Sequence, residues 1–353
     1  MMDTNISSKQ PPLVATVKEV AKRAGVSTAT VSRVLSGAGG VREPLRLRVL
    51  EAARYLAYRP NRAARNLRVR FSRTVGVLIP DIQNPFYTSV LCGIAEALRE
   101  TDYSLLFANY DESPELEKRS LETFRAEGVR GLIFAPSRAP SSLYAELGHA
   151  GIALVAVSRV PSHLRVDQVT VANREGAHSA TSHLIGLGYE RIALINGPLA
   201  LSSARDQQAG YEDALHEAGL PLDESLIMHG EFRHATGYSA MQHLLDMASP
   251  PRALFAASNL LTLGALQAIH ERAVDIPSQI AVVGFDLLPL AISLQPPLTM
   301  VAPPAFEVGR TAADLLLDRV QKPHIPCRQV MLETQLIIRS SCGSESAKQN
   351  AVA

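Results

Sequence analysis

Residues 16–35 read TVKEVAKRAGVSTATVSRVL and decide the fold of the first part of the chain. Thr16 and Glu19 form the pattern of a capping box, in which a Thr N-cap and a Glu three residues later start a helix. Apolar residues then recur at helical spacing, residues 24–26 predict a tight turn, and Ser27 can cap a second helix. This order predicts a helix-turn-helix unit, whose second helix enters the major groove of DNA.

The second helix has an inner and an outer face. Its inner face is apolar, and a third helix from about Pro44 to Leu56 completes the predicted unit. Hydroxyls at a helix start suit phosphate, and Arg33 suits the two acceptors on a guanine edge. The outward residues expected to face DNA are Thr28, Ala29, Ser32 and Arg33.

Charge is divided unevenly along the chain. Residues 1–70 hold 14 Lys and Arg and 4 Asp and Glu, whereas the remaining residues hold 21 and 30, although the net charge of the whole chain is +1. A basic head on an acidic body predicts that the head binds a polyanion such as DNA. The alternative is a three-helix module whose basic face is merely solvated.

Residues 58–71 read YRPNRAARNLRVRF, a basic stretch with five Arg that argues against this alternative. Asn61 can cap a helix of under three turns, which is too short to be stable alone and could fold on binding. Leu67 stands between arginines as an apolar wedge for a minor-groove base step. An ordinary basic linker is the other interpretation of this segment.

These motifs resemble the lactose-repressor (LacI) family of bacterial regulators. The match runs through Thr16–Ala21, Ala24–Ser27, Thr30–Leu35 and Tyr58–Asn61 and continues to about residue 339. It implies a DNA-binding domain over 14–59, a hinge over 60–72 and an effector-binding domain over 73–340. The hinge would hold a helix around Asn61–Arg68, with Leu67 as the intercalating leucine. The expected DNA contacts are Thr16, Ser27, Thr28, Ala29, Thr30, Ser32, Arg33, Tyr58, Asn61, Arg62, Ala64 and Leu67.

Two residues depart from the family pattern in the DNA-binding domain. Arg42 stands where the family often has a capping Ser, and Leu45 where it often has a polar residue. Both concern the third helix, so its phosphate contacts are not carried over.

From Thr74 onward, short apolar runs alternate with helical stretches. The predicted strands are Val75–Ile79, Leu105–Ala108, Leu132–Phe134, Ile152–Val157, Ile192–Ile195, Ala253–Ala257 and Ile280–Val283. The predicted helices are Phe86–Arg99, Glu115–Ala126, Ala204–Ala218, Thr236–Met247 and Leu260–Arg272. Apolar strands separated by helices predict parallel sheets covered on both faces, and the length of this part predicts two doubly wound α/β lobes.

The layout resembles the periplasmic sugar-binding-protein fold that the family uses for its effector domain. The resemblance implies three crossings between lobes, near Leu187, Met300 and Gln329. Lobe 1 would then hold about 73–187 and 301–328, and lobe 2 about 188–300 and 329–340. Residues 341–353 are polar and lack heptads, so we expect a disordered tail without a tetramerisation helix.

Ligands of such sheets bind at the carboxyl ends of strands, here in the cleft between lobes. An aromatic ring with amides, hydroxyls and a carboxylate suits a polyhydroxylated ligand, and Asp286 is the strongest single candidate. The candidates are Asn84, Phe86, Tyr87, Ser137, Asn173, Arg205, Gln207, Phe232, Ser258 and Asp286. Each could instead simply satisfy nearby backbone groups.

The chemistry of the effector stays open at this point. Gln207, Ser258 and Leu287 stand where the family commonly has Arg, Asn and a second Asp, so no relative's effector is carried over. The effector could be a neutral sugar, but a sugar acid or a sugar phosphate is also possible because three arginines follow or lie near strand ends. They are Arg138, Arg159 and Arg205.

Other functional classes have weaker support. Residues 1–12 are polar and no stretch reaches about 18 apolar residues, which predicts a cytoplasmic protein without a membrane partner. The three Cys are too few and too scattered for a disulfide framework or a metal site, and we expect no cofactor. A head fused to a sugar kinase would need glycine-rich phosphate loops, and a transport-type sugar-binding protein would not carry the basic head.

The favoured interpretation is therefore a DNA-binding repressor of a carbohydrate operon. It would bind a palindromic double-stranded DNA operator as a homodimer and respond to a sugar-derived small molecule. Activation, or repression that needs a corepressor, stays open within the same class.

Overall fold

The computed structural model describes residues 15–35, 40–58, 72–138, 140–161 and 163–344. The chain forms two compact units, which divide between Phe71 and Ser72.

Three helices enclose a small apolar core in the first unit. They are α1 (Val17–Ala24), α2 (Thr28–Leu35) and α3 (Glu43–Tyr55), as the sequence predicts to within a residue or so. The capping box is present, because the backbone amide of Thr16 donates to the Glu19 carboxylate at 2.6 Å and Glu19 donates back to the Thr16 hydroxyl. The core residues are Val20, Ala21, Ala24, Val31, Val49, Ala52 and Ala53.

The end of α1 and the start of α3 differ in how they are stabilised. Gly25 ends α1 with a left-handed φ of 63°, a conformation that glycine adopts without strain. The Arg48 guanidinium then donates to the carbonyl of Ala24 at 2.6 Å. Arg42, at the N-cap of α3, makes no side-chain capping bond within the described residues, so α3 begins without the stabilisation that a Ser would give.

The second unit contains twelve strands and eight α-helices among its described residues. In chain order they are β1 (Thr74–Ile79), α4 (Pro85–Leu98), β2 (Ser104–Asn109), α5 (Pro114–Ala126), β3 (Gly131–Phe134), α6 (Ser142–His149), β4 (Ala153–Val157), β5 (Asp167–Val171), α7 (Asn173–Gly186), β6 (Ile192–Asn196), α8 (Ser202–Glu217), β7 (Ile227–His229), α9 (His234–Leu245), β8 (Ala253–Ala256), α10 (Asn259–Glu271), β9 (Ala281–Phe285), β10 (Thr299–Ala302), α11 (Ala305–Gln321), β11 (Gln329–Leu332) and β12 (Gln335–Ile337). The 3-10 helices Glu224–Leu226 and Ser340–Cys342 complete the set.

These elements form two lobes, each built on a six-stranded sheet. The strand order is β11-β5-β4-β3-β1-β2 in lobe 1 and β12-β10-β9-β8-β6-β7 in lobe 2. Strands are parallel except for the β10–β12 pair, which confirms the predicted doubly wound fold. The central strands are buried almost throughout because helices cover both faces.

The crossings between lobes differ from the predicted ones. α7 packs on lobe 2, α11 packs on lobe 1, and β11 pairs with β5 in lobe 1. The chain therefore crosses at about Ala172, at residues 303–304 and at residues 333–334, rather than near Leu187, Met300 and Gln329. An element near a crossing can therefore belong to either lobe. Local periodicity predicts that such an element is a helix or a strand, but it does not indicate on which lobe the element packs.

The predicted start of the tail at residue 341 is also wrong. Ser341 and Cys342 are buried, and the Ser341 hydroxyl accepts from the amide of Thr299 and donates to the carbonyl of Val282. The ordered part of lobe 2 thus extends at least to residue 343, and residues 345–353 lie outside the described residues.

Candidate functional site

The outer face of α2 is the candidate DNA-binding surface. Thr28, Ala29, Ser32 and Arg33 are all exposed, while Val31 on the opposite face is buried. Ser27 caps the helix, because its hydroxyl accepts from the amide of Thr30 at 3.1 Å. The helix start therefore presents small side chains and backbone amides, as base-edge and phosphate contacts require.

The other predicted DNA contacts are placed as follows. Thr16 is exposed at the start of α1, Thr30 is half-buried, and Tyr58 packs partly against the three-helix core. Asn61, Arg62, Ala64 and Leu67 lie outside the described residues, as does the whole of the hinge helix predicted around Asn61–Arg68.

The candidate ligand site is the cleft between the lobes, where the carboxyl ends of both sheets meet. Its empty space is about 500 Å³, including the part open to solvent. The lining residues are Asp81, Asn84, Phe86, Tyr87, Glu112, Ser158, Arg159, Val171, Asn173, Ser203, Gln207, Phe232, Ala257, Ser258 and Asp286.

Asp286 follows β9 and presents a desolvated carboxyl group to the cleft. The residue as a whole is half-buried, but burial raises the pKa of its carboxyl to about 7, and the nearby charge of Arg159 offsets part of this rise. Its φ is 64°, and Ser158, which follows β4 on the facing lobe, has the same φ. Left-handed backbone at two non-glycine residues in one cleft is a strained arrangement of the kind that clusters at ligand sites.

Arg159 is the single cation among the described residues that line the cleft, and its charge is already paired. It is 3 % exposed, and its guanidinium binds the Glu112 carboxylate through two nitrogens at 2.6 and 3.0 Å. It also donates to the hydroxyl of Tyr110 and the carbonyl of Pro136. Because its charge is paired by Glu112 and both of its terminal nitrogens are bonded, Arg159 offers little to an anionic ligand.

Gln207 supplies the clearest unmet hydrogen bond in the cleft. Its side-chain nitrogen donates to the carbonyl of Ala257 at 2.9 Å, whereas its buried oxygen Oε1 has no partner among the described residues. A buried acceptor without a partner costs about 1–3 kcal/mol, so this oxygen favours a ligand that donates a hydrogen bond. The Phe232 ring lies over Gly197 and 5.9 Å from the Arg159 guanidinium, where it can cover an apolar ligand face.

Asn84 and Ser258 serve the fold as well as the cleft. The Asn84 oxygen caps α4 by accepting from the amide of Phe86, and it also accepts from Asn259 of the other lobe at 2.9 Å. The Ser258 hydroxyl caps α10 through the amide of Leu261. These polar groups therefore already make hydrogen bonds within the protein in the absence of ligand.

Eight of the ten predicted effector residues line the cleft, and two do not. The Ser137 hydroxyl is bound by the buried Glu117 carboxylate, which also holds Tyr144, and Ser137 borders a neighbouring cavity. Arg205 is exposed on α8 and donates to the carbonyls of Leu199 and Ala200. We therefore leave Ser137 and Arg205 out of the proposed effector site.

Three charged residues that line the cleft were absent from the predicted set. Asp81 and Arg159 follow the predicted strands Val75–Ile79 and Ile152–Val157, so the strand-end pattern could have indicated both residues. Glu112 follows β2, whose carboxyl end received no candidate, and treating every strand end alike would have found it.

Two features are absent from the described residues. No group of three or more His, Cys, Asp and Glu side chains is arranged to hold a metal ion. In the same part of the chain, no helix is both long and apolar enough to span a bilayer.

A helix-turn-helix unit joined to a two-lobed domain with a polar cleft is the architecture of a ligand-controlled transcriptional regulator. Residues 16–61 match the family model for bacterial regulatory proteins of the lacI family. Residues 72–339 match that for periplasmic binding proteins and the sugar-binding domain of the LacI family. The chain belongs to the LacI family of bacterial regulatory proteins.

Individual relatives are similar over nearly the whole chain. The HTH-type transcriptional repressor CytR of Escherichia coli strain K12 is 33 % identical over 95 % of this chain and 98 % of its own length. The ribose operon repressor of Haemophilus influenzae is 32 % identical over 93 % of this chain and 98 % of its own. These relatives are regulators and not enzymes, which removes the sugar-kinase alternative.

Solved structures share the fold over the same extent. The lac repressor dimer bound to operator and the anti-inducer ONPF has a TM-score of 0.81, with 26 % identity over 93 % of this chain and 99 % of that one. A complex of the transcriptional regulator CelR with cellobiose has a TM-score of 0.71, with 32 % identity over the same shares.

Proposed function

We propose that this protein is a transcriptional repressor that binds a palindromic operator as a homodimer. Its affinity for the operator falls or rises when an uncharged, hydroxyl-rich molecule occupies the cleft. A carbohydrate operon is the proposed target, and the cytoplasm, where such DNA lies, is the proposed location. The single observation that carries the effector class is the pairing of Arg159 with Glu112 inside the cleft.

A homodimer follows from the size of one recognition helix. A single module buries too little DNA surface for the affinity of roughly 10⁻⁸ M that operators require, and two-fold pairing sets two half-sites about one turn apart. Leu290 and Ile292 are 69 % and 65 % exposed, close to the half-exposed Leu287 in the segment after β9. A second copy of the chain can cover this apolar segment.

The cleft can control the first unit through the chain itself. β1 begins at Thr74, directly after the basic segment that joins the two units, so a change in lobe 1 is passed to the segment proposed to form a hinge. Coupling between two such sites is typically about 1–3 kcal/mol, a change of about 5- to 150-fold in operator affinity.

Arg33→Ala is expected to relax base preference and to cost about 1–3 kcal/mol at the cognate operator, because a bidentate guanine contact is lost. Operator binding should be measured on a set of single-base variants at fixed salt. Arg46→Ala on α3, which removes an exposed guanidinium paired with Glu43 at 2.7 Å, is the matched control and should leave base preference intact. Equal weakening on every sequence would instead make Arg33 a phosphate contact.

The effector class can be tested with matched ligand pairs. Ribose and cellobiose should each be compared with their phosphorylated and carboxylated forms, and other neutral sugars with their phosphates, by thermal unfolding of the full chain. We expect stabilisation only from uncharged members, by about 2.7 kcal/mol at 100 times Kd. The physical reason is that Asp81, Glu112 and Asp286 share the cleft with one paired guanidinium. Stabilisation by a phosphate or acid whose neutral parent is inactive would overturn the uncharged class.

A further inference from the structure

The segment Glu231-Phe232-Arg233 of lobe 2 reaches lobe 1 through two ion pairs. The Arg138 guanidinium donates to the Glu231 carboxylate at 2.6 Å. The Arg233 guanidinium donates to the carbonyl and the carboxylate of Asp111 at 2.9 and 3.1 Å. Phe232 stands between the two pairs, and its ring faces the cleft.

The strand order places this contact at one particular edge of the cleft. Asp111 follows β2 and the 231–233 segment follows β7, and these strands form the same outer edge of the two sheets. The three crossing segments attach to β5, β10, β11 and β12 at the opposite edge. The crossings therefore form the hinge side of the cleft. The Asp111–Arg233 pair joins the lobes at the opposite edge, which is the mouth of the cleft, and Arg138, which follows β3 farther in, reaches the same segment of lobe 2.

We propose that Arg138–Glu231 and Asp111–Arg233 form a clasp that holds the mouth of the cleft closed and so positions Phe232 over the bound molecule. The four charged residues act through Phe232 and through lobe closure, without contacting the ligand themselves. Gly197 fits the same arrangement, because a Cβ at this position would lie 2.3 Å from the Phe232 ring.

The clasp is adjustable because its members reach solvent. Their side chains are between 38 % and 55 % exposed, in contrast to the buried Arg159–Glu112 pair. Exposed pairs contribute little individually and are weakened by salt, since the Debye length falls to about 3 Å at 1 M. Two such pairs can bias lobe closure without locking it.

Opening can be measured without operator or effector, so the outcome is independent of the proposed function. Ser203 lines the cleft and is 7 % exposed, and Ser203→Cys in a Cys92→Ser, Cys327→Ser background gives a reporter thiol. Its rate of reaction with a dilute thiol reagent follows the population of open molecules. The same background without the reporter accounts for any reaction of the buried Cys342.

We expect Arg138→Glu with Arg233→Glu to raise the labelling rate by at least about 2- to 30-fold, because two exposed pairs are lost and like charges then face each other. High salt should raise the rate in the parent, where it screens two attractive pairs, and lower it in this variant, where it screens two repulsive ones. Adding Glu231→Arg to Arg138→Glu should return the rate toward that of the parent, which a merely structural disturbance would not do.

Arg272→Glu is the matched control, because it breaks an exposed pair with Asp246 at 2.8 Å within lobe 2 alone. It should leave the labelling rate unchanged, and thermal unfolding should show that all variants remain folded. A parent rate retained in the double variant, or a charge exchange that fails to restore it, overturns the clasp.

Discussion

Asp286→Ala should abolish the effector response while leaving operator binding in the absence of effector near normal. The desolvated carboxyl can accept two ligand hydroxyls, and hydrogen bonds to a charged group contribute about 1.5–3 kcal/mol each. We therefore expect effector affinity to fall by at least about 100-fold, measured by calorimetry with the active sugar of the ligand panel.

The pKa of Asp286 gives the same experiment a pH dependence. With its pKa raised to about 7, the carboxyl is protonated below neutrality in the ligand-free protein. Ligand hydroxyls favour the ionised acceptor, so affinity should rise with pH, by at most tenfold per unit, and level off above about pH 7. Without ligand, the contribution of Asp286 to the free energy of unfolding falls as pH rises from about 4 to about 7. The reason is that the folded state holds a proton that the unfolded chain has lost above about pH 4.

Two variants separate this role from a general disturbance of the lobe. Asp286→Asn should remove the pH dependence, since an amide does not titrate in this range. Arg205→Ala should leave the effector response unchanged, because that side chain lies outside the cleft on α8. A wild-type response in Asp286→Ala would exclude the carboxyl from direct ligand contact.

Asp167→Ala should destabilise the effector domain by about 3 kcal/mol, since it leaves two buried or half-buried guanidinium groups without their carboxylate. Asp167 is fully buried, and it accepts from Arg319 at 2.8 and 3.0 Å and from the backbone and side chain of Arg328. The estimate is at the lower end of the range because both arginines also donate to backbone carbonyls and partly reach solvent. Urea unfolding at pH 7 measures the loss.

The dependence of stability on pH in the acid range provides a second measurement on Asp167. Burial alone would raise the pKa of this carboxyl, but the hydrogen bonds from Arg319 and Arg328 outweigh it and hold the pKa below its ordinary value. Its contribution is thus fully present above the unfolded pKa of about 3.9 and is lost as pH falls through the lower folded pKa. The difference in free energy of unfolding between wild type and Asp167→Ala should therefore become smaller in strong acid.

Asp246→Ala is the control for this stability measurement. Asp246 pairs with Arg272 at a similar distance, but its side chain is 58 % exposed, so its loss should cost no more than about 1 kcal/mol. Equal losses at Asp246 and Asp167 would mean that burial of the Asp167 cluster has no energetic consequence.

Local sequence signals predicted the helix-turn-helix unit and the central strands, and the reasons lie in particular residues. The capping box of Thr16 and Glu19 predicts a helix start, and the continuous apolar run of β1 predicts a buried strand, each from a few neighbouring residues. β5 was missed because it begins with Asp167 and Gln168, whose burial depends on arginines more than 150 residues away. β11 and β12 were missed since each is short and partly exposed.

The candidate site was predictable to the same degree. Strand ends indicated Asp286, Gln207 and Phe232, because parallel strands deliver their carboxyl ends to one edge. The commitment of Ser137 to Glu117 was not predictable, since it depends on how α5 packs beside the following loop. Nor could charge alone show that Arg159 is already paired with Glu112.

The return of β11 to lobe 1 has a consequence for how the protein is made. The three-helix unit is complete once residue 58 has left the ribosome, but the sheet of lobe 1 lacks its edge strand until residue 332 has followed. At about 5–20 residues per second this interval is roughly 15–55 s. A nascent chain thus carries a finished DNA-binding head long before it has a cleft, and if tight operator binding requires the proposed pairing of finished bodies, heads on unfinished chains do not occupy operators.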